Sequence, residues 1–107
     1  TCVIDCGFVV NPNGVRQQVE GGIVFGLSAA LYGGVTIVDG QVRQSNFHDQ
    51  PVLRIDECPQ IDTYLMASDQ APEGVGEPGT APIAPAVGNA LFALTGQRLR
   101  ALPFKLA

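Results

Sequence analysis

The sequence has no tryptophan, one methionine, one histidine, and six basic residues against ten acidic ones. With a net charge of −4 and only Arg98, Arg100 and Lys105 near one another, it lacks the basic surface that a nucleic-acid partner requires. Nucleophilic triads would all have to use the single His48, which lies in Phe47-His48-Asp49 and reads as a hydrogen-bonded loop histidine. Cys2, Cys6 and Cys58 show no CxxC and no histidine at ligand spacing, so no metal ligands are assigned, and Cys2 and Cys6 read as buried free thiols. No basic residue occurs between Pro59 and Gln97, and no acidic residue follows Glu77.

Apolar residues make up 46 % and charged residues 15 %, a balance that excludes disorder and predicts one folding domain over residues 1–107. The chain opens on an apolar run with no basic region ahead of it, so no signal peptide is expected. Gly21 to Val38 is uncharged and long enough to suggest a bilayer span. Its five glycines, with the Gly33-Gly34 pair splitting the run, argue against one.

Residues 2–10, CVIDCGFVV, read as a buried strand interrupted at Gly7. Asn11-Pro12 combines an N-cap residue with proline at the first helical position and opens a helix predicted to run to about Tyr32. Val15, Val19, Ile23, Leu27 and Leu31 form its buried stripe. Gly21, Gly22 and Gly26 interrupt that helix at about 1 kcal/mol each relative to alanine, so either a second backbone or a ligand comes close there. Asp39-Gly40 predicts a hairpin between 35–38 and 41–44. A short strand is possible at 52–55, another is expected at 60–68, and a second helix should run from about Pro82 to Thr95, stopped by Gly96. The expected fold is α+β: a mixed sheet with two helices packed on one face, in the order strand, helix, hairpin, strand, helix.

The stretch from Ala71 to Gly96 isolates one carboxylate. Glu77 is flanked by Gly74, Gly76 and Gly79, whose missing side chains would let a ligand reach it at close range. A carboxylate ahead of a helix can equally serve the helix dipole, and spacing alone leaves both roles open. The same glycines spell G-x-G-x-x-G, but a dinucleotide fingerprint needs an acidic residue about twenty positions on, and none exists. For paired-carboxylate chemistry Glu77 would need Glu73, Asp69 or Glu20 as its partner.

Taken in order, Asp5-Cys6-Gly7, Asn11-Pro12, Gln18-Val19-Glu20-Gly21-Gly22 with Gly26-Leu27, and Gly74-Val75-Gly76-Glu77-Pro78-Gly79 resemble the C-terminal part of the molybdopterin-binding subunit of the xanthine oxidase and aldehyde oxidase family. Ser45 to Asp49 and the ending from Ala90 to Leu102 look most like its isoquinoline 1-oxidoreductase β-subunit branch. The resemblance implies that this is a piece of a larger subunit oxidising an N-heteroaromatic ring or an aldehyde, with water as oxygen source. Glu77 would then be the general base at a molybdenum-bound hydroxide. It also implies that Gln18 contacts the pterin, and that Gly21, Gly22 and Gly76 let the cofactor approach. That cofactor would be molybdopterin in its cytosine dinucleotide form. Its implied partners are the remainder of the subunit and a small iron–sulfur subunit, with no membrane span in this segment. The isolated segment would be inactive, because other loops complete the cradle. The rival expectation is a stand-alone, cofactor-free binding or structural module.

Overall fold

The computed structural model describes residues 1–106. Strand β1 (Cys2–Ile4) pairs in parallel with β4 (Thr63–Leu65), with Cys2 opposite Thr63 and Ile4 opposite Leu65. Between them come helix α1 (Pro12–Tyr32) and the antiparallel hairpin β2 (Ile37–Val38) and β3 (Gln41–Val42); helix α2 (Ile83–Thr95) follows β4.

The α+β class and the element order hold. In detail, the parallel and antiparallel pairings form two separate two-stranded ladders, and α2 packs on α1 rather than on a sheet. Glycine explains that helix contact. A Cβ at Gly26 would collide with the Ile83 methyl and lie 2.7 Å from the Thr80 carbonyl, so only glycine lets the start of α2 close on α1.

Helix α1 begins as its sequence dictates. Asn11 is extended, its side chain accepts from Gly14 N–H at 3.1 Å, and Pro12 occupies the first turn, where no N–H partner is needed. The helix ends at Gly33, whose N–H bonds the Ala29 carbonyl at 2.9 Å. A Cβ there would lie 2.6 Å from that same oxygen. The tail returns to this end, and Phe104 N–H satisfies the Ala30 carbonyl at 2.8 Å. At the hairpin, Asp39 and Gly40 both take positive φ, 51° and 75°, as a tight two-residue turn requires. Gly96 closes α2 in the left-handed conformation.

The strands are shorter than the apolar runs suggest. Residues 2–10 stop being a strand after Ile4, because Asp5 Oδ1 accepts from Gly7 N–H at 3.1 Å and Gly7 turns the chain at φ 73°. No strand forms at 52–55. Leu53 N–H is taken by Ser28 Oγ at 3.0 Å and Arg54 N–H by Glu57 at 2.9 Å, so side chains occupy the donors a ladder would use.

The core is thin. Cys6, Val19, Ile23, Leu27 and Ala30 are its buried side chains, while Val15 and Leu31, at the ends of the predicted stripe, are half-buried. The surface measures 7647 Å², where a folded monomer of 11.2 kDa exposes about 5,700 Å². The radius of gyration is 16.5 Å against about 13 Å for a compact domain of this length. Composition predicts a core that these residues do not close among themselves. Phe25, Ile55, Tyr64 and Leu94 all stand more than 60 % exposed.

Candidate functional site

Two sets of contacts hold the loop that carries Glu77. At its start, the Asp5-Cys6-Gly7 turn clamps it: Phe8 N–H bonds the Gln70 carbonyl at 2.9 Å, and Glu73 N–H bonds the Cys6 carbonyl at 3.0 Å. Gly7 sits so close to the Ala71 carbonyl that a Cβ could not be accommodated. Asp5, the odd residue in an apolar run, thus shapes the turn on which the loop is anchored.

At the loop's far end, Gly79 and Thr80 lie on α1. The space a Cβ at Gly22 would fill is taken by Gly79 Cα and Thr80 Oγ1, both at 3.3 Å, and Thr80 Oγ1 donates to the Gly22 carbonyl at 3.2 Å. The two explanations open for the helix glycines therefore divide. Gly22 and Gly26 admit this chain's own backbone and side chains, so Gly22, expected to let the cofactor approach, is buried against Gly79 and Thr80. Gly21 is exposed, with no atom of the chain within 4 Å of a Cβ placed there. Thr80 was not among the residues singled out by sequence; its signal was a lone hydroxyl directly after a loop glycine, opposite a glycine-rich helix turn.

Between the two anchors the loop is open. Gly74, Gly76, Glu77, Pro78 and Ala81 line a hollow of about 580 Å³. Cβ atoms at Gly74 or Gly76 would meet nothing of this chain, and neither glycine has positive φ. Their lack of side chains is thus required neither by packing within the chain nor by backbone strain. The Glu77 carboxylate makes no ion pair or side-chain hydrogen bond among the described residues; only its carbonyl is used, accepting from Thr80 N–H at 2.9 Å.

This geometry removes the capping role. α2 starts at Ile83 with Pro82 as its cap, no side chain bonds its first turn, and no acidic residue lies in that turn. The loop therefore does not run directly into a helix N-terminus, as a phosphate-binding fingerprint must. The hollow contains no second carboxylate either, so paired-carboxylate chemistry has no partner there.

Gln18 is exposed and lines a different hollow, of about 320 Å³, with Glu73 and Val75 of the same loop. Gly21 opens on a third, of about 480 Å³, with Phe25, Ser28 and Gln50. The three hollows share no lining residue: sequence neighbours Gly76 and Glu77 lie on one, Gln18 on another and Gly21 on the third, so the structure does not bring the four together. His48 is exposed, 3.6 Å from Asp49. Asp49 closes its own turn by accepting from Ser45 and Asn46 backbone N–H groups, first among the causes that hold its carboxyl below the usual range.

No atom of the chain lies within 4 Å of a Cβ placed at Gly21, Gly74 or Gly76, so these positions leave room for a cofactor, and among the described residues the Gln18 amide, with two donors and an acceptor, has no hydrogen-bond partner.

Residues 1–59 match the model of the molybdopterin cofactor-binding domain, and the chain belongs to that family. It is similar to isoquinoline 1-oxidoreductase subunit beta of Brevundimonas diminuta, 47 % identical over 106 residues, covering 99 % of this chain and 14 % of that protein. It also resembles the membrane-bound aldehyde dehydrogenase [pyrroloquinoline-quinone] of Gluconacetobacter polyoxogenes, at 40 % identity over the full chain and 14 % of the relative. Among solved structures, quinoline 2-oxidoreductase from Pseudomonas putida 86 superposes with a TM-score of 0.79 at 27 % identity, over 94 % of this chain and 14 % of that one. The chain thus spans about one-seventh of the length of these relatives.

Proposed function

We propose that this chain is a working part of a molybdenum hydroxylase that oxidises an N-heteroaromatic ring or an aldehyde, taking oxygen from water. Glu77 is the general base. The observation that carries the reading is a carboxylate on a doubly anchored glycine loop, neither capping a helix nor paired with a cation, in a hollow bordered by glycines whose vacancy the chain itself does not need.

The molybdopterin cofactor, when bound, supplies the two-electron redox chemistry. This chain's residues bind and move a proton. Gln18 pairs with the heterocycle through its amide, Gly76 keeps a Cβ out of the hollow beside Glu77, and Gly21 keeps one out of the separate hollow on α1, where another part of the cofactor lies. Gly22 and Thr80 hold the loop to α1 from behind, which fixes the height of Glu77. The Glu77 carboxylate takes the proton that water gives up as its oxygen bonds to the substrate carbon. A base of this kind must be ionised and unencumbered, and the absence of basic residues from Pro59 to Gln97 suits that.

The carbon's C–H bond breaks as the C–O bond forms, its hydrogen and electron pair being given to the two-electron acceptor that the cofactor would supply, and the electrons would leave through iron–sulfur clusters on a small partner subunit. Support for a multi-subunit enzyme comes from the relative described as a subunit beta. The pterin is assigned in its cytosine dinucleotide form. Other parts of a longer subunit complete the cradle, so the 107 residues alone bind no cofactor. One relative's name carries a quinone instead, and the molybdopterin assignment rests on the family match.

Glu77→Gln in the complete enzyme tests the proposal. Turnover should fall about 10²- to 10⁴-fold, the range a general base contributes, with molybdenum per polypeptide unchanged. Retained turnover would remove Glu77 from the base role.

A further inference from the structure

We propose that the outward side of α2, with the hollow beside it, docks an apolar segment bearing carboxylates that belongs to the same polypeptide outside these 107 residues. The inference rests on the reading above that the chain is part of a longer subunit, and adds which surface is covered and by what chemistry.

No side chain of α2 is buried, and no charge occurs from Pro78 to Gln97. Its exposed side presents Pro85, Ala86, Ala90, Ala93 and Leu94, with Asn89 as the polar exception, and Leu94 is 83 % exposed. A helix apolar on every side is an interior helix. Ala86, Ala90 and Ala93 fall on one stripe, where small side chains let a second backbone come close.

Alongside runs a hollow of about 280 Å³ between α2 and the tail, lined by Gly88, Asn89, Arg98, Arg100 and Phe104. The Arg98 guanidinium stacks 3.7 Å over the Phe92 ring, which fixes a cation at the end of the apolar stripe. Neither Arg98 nor Arg100 has an ion-pair partner among the described residues. All ten acidic residues lie at or before Glu77, so neither α2 nor the tail contributes an acidic side chain to these arginines. An apolar face ended by two unpaired guanidinium groups is complementary to an apolar segment with carboxylates at its edge.

Relative to a compact monomer the whole molecule carries about 1,900 Å² of extra surface, and the α2 flank around Leu94 is part of it. A second copy of the chain is the poorer occupant. In a two-fold contact of this face with itself, the opposing α2 and tail would carry no acidic side chain to meet Arg98 and Arg100.

The test is made on the full-length protein with the photo-crosslinking residue p-benzoylphenylalanine in place of Leu94. After irradiation, the crosslinked protein should keep the mass of one polypeptide in a denaturing gel. Peptide mass spectrometry should join α2 to an apolar peptide of the same chain that contains Asp or Glu. Adding Arg98→Glu and Arg100→Glu should lower the crosslink yield about tenfold, with like charges now facing each other. A product of doubled mass, a product joined to another subunit, a captured peptide without an acid, or no crosslink overturns the proposal. If the charge-reversed protein fails to fold, the Leu94 replacement alone decides the matter. Crosslinking needs neither molybdenum nor turnover, so a protein that crosslinks internally but holds no molybdenum would refute the hydroxylase reading while leaving this surface in place.

Discussion

Glycine has three different uses in this chain, and each residue's environment decides which applies. Gly7 and Gly96 are glycine because the backbone there is left-handed. Gly22 and Gly26 are glycine because another part of the same chain sits where a side chain would go. Gly21, Gly74 and Gly76 satisfy neither condition; Gly21 costs about 1 kcal/mol in α1 without freeing internal space, and the proposed function gives that vacancy to the cofactor. Gly21→Ala tests this. Within the chain it should be neutral or raise stability by up to about 1 kcal/mol, with cofactor content of the complete enzyme reduced. Thermal melting and molybdenum analysis check the two halves, and unchanged cofactor content would return Gly21 to chance. The sequence could mark all these glycines as costly, but it could not sort them, because the sorting depends on which loop crosses α1.

At the scale of elements, the parallel β1–β4 pair and the turn at Asp5–Gly7 bring the loop from 66 to 73 beside β1, and from there the chain can only pass over α1. Gly7→Ala should break that clamp, since the Cβ meets the Ala71 carbonyl and φ is positive. We expect a loss of about 1–3 kcal/mol and lower turnover in the complete enzyme, because the start of the Glu77 loop moves. Wild-type stability and turnover in this variant would contradict the anchoring role.

A second, peripheral tie joins the C-terminal end of α1 to the segment around residue 57, where the Tyr32 hydroxyl donates to Glu57. That bond, and then the Arg54 backbone N–H, hold the Glu57 carboxyl below its ordinary value, while the Glu57 bond pushes the Tyr32 hydroxyl up. A lowered carboxylate contributes above its unfolded-state pKa and loses that contribution as pH falls through its folded-state value. A raised tyrosine contributes below its unfolded-state pKa and loses it as pH rises through the folded-state value. The tie therefore holds across neutral pH and is released at either extreme. In Tyr32→Phe, an NMR titration should show Glu57 moving up towards the ordinary carboxylate value; an unchanged titration would mean the bond is absent in solution.

Helices and hairpin were legible in the sequence because their signals are local: an Asn-Pro start, an Asp-Gly turn, a glycine stop. The strands were overestimated for an equally local reason seen only in three dimensions, since Ser28 and Glu57 take backbone donors from the run at 52–55. Glu77 could be found from its bare surroundings, but its freedom from a capping role emerged only when α2 was seen to begin at Ile83.

For the whole molecule, the dominant fact is surface. Five buried apolar side chains and an extended shape of 52 × 34 × 26 Å do not consume the apolar content of a sequence that is 46 % hydrophobic. The same excess accounts for the exposed flank of α2 and for the open spaces beside Gly21 and Gly76, which the two proposals above assign to protein and to cofactor respectively. Composition alone could not reveal this, because it counts apolar residues without saying where their partners lie. The measurement that tests the account most directly is the molybdenum content, together with the mass, of the polypeptide that carries this sequence in its native source. The account predicts one molybdenum per polypeptide, on a chain several times longer than 107 residues. A polypeptide of about this length without molybdenum would contradict it, and Glu77 would then be an unpaired loop carboxylate with no proton to take.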